Sequence, residues 1–73
     1  MYYYLMIVYS DHAIRRMKQR GITPLEVGHV LKFPSYIRKS FGDRKQAIGI
    51  VNNREIKVVF TKKENYIRVI TVT

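Results

Sequence analysis

From Tyr36 onward the apolar residues of this 73-residue chain recur at every second position, and this period constrains the fold more than any other feature. Short polar turns separate four strand candidates, at residues 36–41, 46–51, 55–60 and 66–72. In the third candidate Ile56, Val58 and Phe60 alternate with polar residues, which predicts one solvent-facing side. The fourth is apolar on both sides, which predicts a central strand in a sheet of hairpins.

Residues 10–22 predict a short amphipathic helix before these strands. Ser10 is suited to cap its start, and Gly21 supplies the left-handed residue that ends it. A helical projection places Ala13, Ile14, Met17 and Gly21 on the arc predicted to pack, and His12, Arg15, Arg16 and Gln19 on the opposite arc, with Arg20 at the border. Because His12, Arg16 and Arg20 are spaced by four, their side chains stack along one edge, where a phosphate group could lie.

A second helix is predicted from the capping box at residues 23–26, with Pro24 at its first position. Its buried stripe is predicted to be Val27, Val30, Leu31 and Phe33. Pro34 ends the helix, and His29 is predicted to lie at the surface. At the other end of the chain, residues 2–9 are aromatic and β-branched without a breaker, which predicts a strand ahead of the first helix.

The elements together predict one α+β domain over residues 1–73, with the order β-α-α-β-β-β-β. Two N-terminal helices pack on one face of a mostly antiparallel sheet of four to five strands, so the opposite face is free for a ligand. The partner of the first strand stays open, because it can pair with the closing strand or with another chain. A homodimer is compatible with this arrangement, since a chain this short has a small core.

The charge of the chain indicates a polyanionic partner. Fourteen Lys and Arg against five Asp and Glu give a net charge of +9, which favours RNA or an acidic protein. The chain has no Cys and only two distant His, so neither a metal site nor a cofactor is predicted. The apolar opening is much shorter than the ~20 residues of a membrane span, and we expect a soluble, cytoplasmic protein without a membrane partner.

Three motifs stand out along the chain: the run His12-Ala13-x-x-Arg16-Met17-x-x-Arg20-Gly21-Ile22, a second helix ending in Pro34, and a closing Val69-Ile70-Thr71-Val72. Together they resemble domain-of-unknown-function family 4258. That family is similar to the superfamily of barnase, colicin nucleases and RelE-type toxins, which implies a metal-independent ribonuclease and a toxin of a toxin-antitoxin pair, with an acidic antitoxin as partner. By position the resemblance points to His12, Arg16, Arg20 and, more weakly, Thr71; Arg15 departs from the family pattern.

Metal-free RNA cleavage needs a base for the 2′-hydroxyl, an acid for the leaving oxygen, and cations around the phosphorane. His12 suits the base, and Arg16 with Arg20 suits the cations, so these three are the candidate catalytic residues. The helix dipole favours a neutral His12, whereas the adjacent Asp11 favours a charged one. The candidates for the acid are Tyr36, Lys57 and Thr71, which together with Arg15 are also the candidate substrate-binding residues.

Two alternatives to catalysis stay open at this point. Arg16 and Arg20 can be structural, paired with Glu26, Glu55 or a backbone carbonyl, and His12 can hydrogen-bond to the backbone. The domain would then be a non-catalytic RNA- or DNA-binding module or a protein-interaction module. The distinguishing observation is whether His12 and both arginines line one open cleft.

Overall fold

A computed structural model describes residues 6–73 and has the predicted order of elements. Its helices and strands are β1 (Met6–Tyr9), α1 (Asp11–Arg20), α2 (Pro24–Lys32), β2 (Tyr36–Lys39), β3 (Lys45–Val51), β4 (Arg54–Lys62) and β5 (Tyr66–Val72). The predicted α+β class is confirmed. The part of the first predicted strand at residues 2–5 lies outside the described residues.

The five strands form one sheet in the order β1-β5-β4-β3-β2. Pairing is antiparallel except between β1 and β5, which run parallel. The first strand therefore pairs with the closing strand, as one of the two predicted alternatives had it. β5 lies inside the sheet between β1 and β4, but it has one solvent-facing side, because Arg68 is exposed between the buried Ile67 and Val69.

A tight turn joins β3 to β4 and sets their register. Asn52 and Asn53 both adopt positive φ, at 54° and 64°, which is the left-handed pair that a two-residue type I′ hairpin requires. The ladder then pairs Val51 with Arg54 and continues to Lys45 opposite Phe60. Since side chains alternate along each strand, this register directs Ile56, Val58 and Phe60 of β4 into the core.

Both helices pack on one face of this sheet, and their apolar residues form the core with the facing strands. The buried members are Ala13, Met17, Ile22, Val27, Val30, Leu31, Ala47, Ile56, Val58, Phe60, Ile67, Val69 and Val72. The approach of α2 to β3 is close, because a Cβ on Gly49 would stand 3.3 Å from the Val30 side chain. No described helix covers the opposite face, so the predicted free face is present.

Three predictions about apolar side chains need correction. Phe33 does not belong to the buried stripe of α2 and is 65% exposed. The helix ends at Lys32, so Phe33 has a non-helical backbone, with φ of −130° and ψ of 61°, and its ring lies against the ring of His29. The second strand ends at Lys39 rather than at Phe41, which lies exposed in the turn to β3. Ile14, predicted to pack, is partly exposed at the margin of the buried arc of α1.

A β-bulge in β5 fixes where α1 begins. Val59 pairs with Thr71 and Phe60 with Val69, so Ile70 is an extra residue on β5. The Ser10 hydroxyl donates a hydrogen bond to the carbonyl oxygen of Ile70 at 2.7 Å and accepts one from the N–H of Ala13 at 3.0 Å. The predicted N-cap is thus confirmed, and the same side chain ties the first turn of α1 to the sheet.

Candidate functional site

The first turn of α1 borders an open groove on the uncovered face of the sheet. We call it the sheet-face groove, and it is lined by Ser10, His12, Asp43, Arg44, Thr61, Lys63, Tyr66, Arg68 and Ile70. The Ser10 bonds to the bulge hold the helix start at this place, so the exposed imidazole of His12 lies at the margin of the groove. Three cations and one carboxylate line it, which favours an anionic ligand.

The second half of α1 borders a separate groove at the end of the sheet, where β4 begins and β5 ends. This arginine groove is lined by Arg16, Gln19, Arg20, Ile22, Arg54, Glu55 and Thr73. Its volume of about 510 Å³ and the 640 Å³ of the sheet-face groove fall within the ~300–1,000 Å³ range of ligand sites. Each groove is therefore large enough for a phosphate group with its sugar.

Arg54 makes the structural contacts, to backbone carbonyls and to Glu26, that were considered from the sequence for Arg16 and Arg20. Its guanidinium donates to the carbonyl oxygens of Arg20 and Gly21 at 2.8 and 3.1 Å, and it lies 3.4 Å from the carboxylate of Glu26. Those carbonyls are the unpaired acceptors at the end of a helix that also ends in a left-handed Gly21, with φ of 65°. Arg54 thus joins the end of α1 to the start of α2.

Arg16 and Arg20 make no such bonds to the described residues. The Nε of Arg16 is buried and has no hydrogen-bond partner within residues 6–73. A buried donor without an acceptor costs roughly 1–3 kcal/mol, so the Nε of Arg16 does not contribute a structural hydrogen bond to the described residues. The pairing of Arg16 with Glu26, Glu55 or a backbone carbonyl that was considered from the sequence is not present among the described residues.

A comparison with family models places these grooves in a known group of domains. The model described as domain of unknown function (DUF4258) matches residues 9–73. The chain belongs to this family. A search of curated proteins and a search of solved structures found no significant match.

The DUF4258 match includes all residues of both grooves, but the predicted catalytic residues do not share one of them. Arg16 and Arg20 lie together in the arginine groove, whereas His12 lines the sheet-face groove. The three side chains do follow one edge of α1, as the spacing predicted. The single cleft that would have joined them is replaced by two grooves along that edge.

The predicted substrate-binding residues separate in a similar way. Tyr36 and Lys57 both pair across the strands with Ile48, so they share one face of the sheet. Thr71 pairs with Val59, which lies two residues after Lys57 on the same face. All three candidates therefore lie on the uncovered face of this DUF4258 domain. None of the three lines the sheet-face groove with His12. Arg15 is exposed on α1, on the side away from the core.

Sequence reasoning missed several side chains that the fold brings to His12. Tyr66 and Arg68 lie on β5, and Arg44 lies in the turn before β3, far from α1 along the chain. The alternation in β5 could have placed Arg68 on the uncovered face, but only the parallel pairing of β1 with β5 brings that face to the start of α1. Arg54 was equally hidden, since its acceptors are backbone carbonyls.

Few of the positive charges of this domain are neutralised by neighbours. Within residues 6–73 the only salt bridges are those of Arg54 with Glu26 and of Lys57 with Glu55. The N–H of Thr23, and then Arg54, hold the pKa of the Glu26 carboxyl below its usual value near 4.5. Neither described helix is long and apolar enough to cross a membrane.

Proposed function

We propose that this DUF4258 domain binds RNA along the edge of α1 and the uncovered face of the sheet. The observation that supports the proposal is that five cations at the two grooves have no ion-pair partner within residues 6–73. Arg16 and Arg20 contribute to one groove, and Arg44, Lys63 and Arg68 contribute to the other. Each groove that takes up a phosphate releases counterions, which supplies most of the affinity of such a surface.

Aromatic side chains on the same face favour a single strand as the ligand. Tyr66 lines the sheet-face groove, and Tyr36 is half exposed on the edge strand β2. Bases that are not paired can stack on such rings, with about 1–3 kcal/mol per base in measured cases. A cationic groove beside aromatic rings is the combination found in single-strand binding surfaces.

Anisotropy titrations of labelled single-stranded RNA, structured RNA and DNA at about 50 and 200 mM salt test this proposal. We expect Arg68→Gln to weaken RNA binding clearly more than Lys39→Gln does. The second variant is the matched control, because it removes the same charge from an exposed position on the helix side of the sheet. Lys39 pairs across the strands with Lys45, and Lys45 pairs with the buried Phe60. Equal effects of the two variants would mean that net charge alone drives binding, and the proposed surface would be wrong.

A second proposal is that the bound RNA is cleaved without a metal ion. The sheet-face groove supports it, because His12, Tyr66 and Arg68 line this groove together. His12 would take the proton of the 2′-hydroxyl, and the 2′-oxygen would attack the adjacent phosphorus. The bond between the phosphorus and the 5′-oxygen would break, and the 5′-oxygen would leave with a proton from the hydroxyl of Tyr66, which lines the same groove. Arg68 would face the charge on the phosphorane. Arg16 and Arg20 would then hold a neighbouring phosphate rather than the reacting one.

Incubation of RNA with the purified protein in excess EDTA tests cleavage. We expect products ending in 2′,3′-cyclic phosphate, and no cleavage of DNA, because the scheme uses the 2′-oxygen. A substrate with a 2′-deoxy nucleotide at the cleaved position is the control and should stay intact. RNA binding without any cleavage would leave the first proposal standing and remove the second.

The cellular setting stays a prediction from the sequence. A toxin-antitoxin pair with an acidic antitoxin, a cytoplasmic location and a homodimer all remain expectations of this kind. The surface of the molecule on the other side of α1 is the part of the fold that bears on which protein is its partner.

A further inference from the structure

The helix side of the molecule carries an apolar surface that α1 separates from both cationic grooves, with Ile22 at the end of the helix lining both this surface and the arginine groove. It consists of two adjacent hollows that meet at Pro24. One lies beside Ile14 and Met17 of α1, and the other lies beside Leu25 at the start of α2. We call the pair the apolar groove. Leu25 is 86% exposed there, which is a large apolar exposure for a side chain in a small domain.

The margins of the apolar groove are basic. Lys18 borders the first hollow and Lys32 the second, and no Asp or Glu lines either of them among the described residues. Met17 and Ile22 on its floor are largely buried, and burial raises the pKa of the Tyr9 phenol, which lines the same hollow. An apolar floor between cationic margins favours an occupant with apolar and acidic groups on adjoining surfaces.

We propose that the apolar groove binds an acidic amphipathic helix of another protein. The two adjacent hollows can each take an apolar side chain from one face of a helix, which is how amphipathic helices enter grooves. Acidic residues beside those anchors would face Lys18 and Lys32. This proposal does not depend on RNA binding, because the apolar groove lies on the flank of α1 opposite to the cationic grooves.

The charge of the chain argues against the other two occupants. A second copy would bring its own net charge of +9 and its own lysines against those of the first, and like charges at an interface are costly. A membrane surface is flat, whereas the floor of the groove lies below the protruding side chains of Ile14 and Leu25. An acidic helix satisfies both the shape and the charge.

The test uses a synthetic peptide with Leu at one helical face and Glu at the others, and a second peptide of the same composition with the Leu positions dispersed. We expect the first peptide to bind and to perturb backbone NMR signals around Ile14 and Leu25. Leu25→Glu should weaken binding about 10- to 100-fold, as expected when an anchoring leucine contact is lost. Ile50→Glu is the matched control, because Ile50 is 63% exposed on the uncovered sheet face, and binding should be retained.

Circular dichroism of both variants must show the parent fold and melting temperature, so that lost binding is not lost structure. Equal binding of the two peptides, or NMR changes confined to the cationic grooves, would overturn the proposal in favour of charge alone. So would the absence of binding at about 1 mM peptide. Dimerisation of the protein that Leu25→Glu abolishes, or anionic vesicles that displace the peptide, would identify a second copy or a membrane as the occupant instead.

Discussion

The two flanks of α1 differ in what they leave unsatisfied. On one flank Arg16 and Arg20 border the arginine groove, and the buried Nε of Arg16 has no acceptor in the described part of the chain. On the other flank Ile14 borders a groove whose apolar floor lacks a cover. One ten-residue helix therefore separates a surface for phosphates from a surface for apolar groups.

The difference follows from how α1 is attached to the sheet. Ala13 and Met17 face the core. On the helical wheel Arg16 and Arg20 lie to one side of this pair, which we call the basic flank, and Ile14 lies to the other side, the apolar flank. The Ser10 bonds to the bulge at Ile70 then fix which flank borders the uncovered sheet face. The basic flank continues onto that face, whereas the apolar flank continues onto α2. Variants that alter one flank should therefore spare the function of the other.

The largest expected effect comes from the basic flank. If RNA is cleaved as proposed, His12→Ala should lower the cleavage rate by about 10²- to 10⁴-fold, the usual size of a general-base contribution. Single-turnover kinetics in EDTA measure it, with peptide binding as the readout of the untouched flank. His29→Ala is the matched control, since the second histidine of the chain is also exposed but lies on α2. Equal losses in both variants would remove His12 from the mechanism.

The next effect concerns the residue that holds the end of α1. Arg54→Ala should reduce the free energy of unfolding by about 1–3 kcal/mol, because it removes the donor to two helix-end carbonyls and the ion-pair partner of Glu26. The lower part of that range applies to so exposed a side chain. Urea unfolding measures the change. Arg20→Ala removes an equal charge but keeps the carbonyl, and a comparable loss in that variant would contradict the assignment of the structural role to Arg54.

Local sequence patterns predicted the helices and strands, but they did not predict the grooves on the two flanks of α1. The spacing of Ala13 and Met17 and the capping residues Ser10 and Gly21 describe α1 without reference to the rest of the chain. The period of two after Tyr36 likewise indicates which side chains of each strand share a face. These are short-range effects, and the structure confirms them.

The parts that could not be predicted depend on contacts between distant segments. The parallel pairing of β1 with β5 and the extra residue at Ile70 bring Arg68 to His12, and neither has a local signature. A lone arginine in a strand does not indicate that its acceptors are the carbonyls of a helix end, as for Arg54. Phe33 kept the spacing of the buried stripe, yet the helix stopped one residue earlier. Periodicity identifies a face, and tertiary pairing decides what that face meets.

A smaller effect sharpens the division between binding and stability on the basic flank. Arg16→Gln should reduce the slope of log binding constant against log salt by about 0.7, the value for one phosphate of a single strand. It should not lower the melting temperature, because the Nε that is lost has no partner among the described residues. Titration at several salt concentrations measures the slope. Ile14→Ser, on the other flank, should leave the salt slope unchanged. A reduced slope in both variants would mean that the two flanks are not independent.

The smallest effect lies where the two flanks meet, at the contact of Glu26 with Thr23 and Arg54. The native pKa of Glu26 is lowered, chiefly because its carboxylate accepts a hydrogen bond from the N–H of Thr23, and further by Arg54. Its stabilising contribution is therefore complete above the unfolded value near 4.5, and it is lost as the pH falls through the lowered native value.

Glu26→Gln should make the acid side of the stability curve shallower, as followed by urea midpoints at a series of pH values. Arg54→Gln should do so by less, since the Thr23 donor, which is the larger cause, remains in that variant. If Arg54→Gln flattened the curve as fully as Glu26→Gln, the ion pair rather than the cap would dominate the pKa. The contact of Glu26 with Thr23 and Arg54 would then be stabilised mainly by the ion pair, and its contribution would fall with added salt. A capping hydrogen bond is much less sensitive to salt.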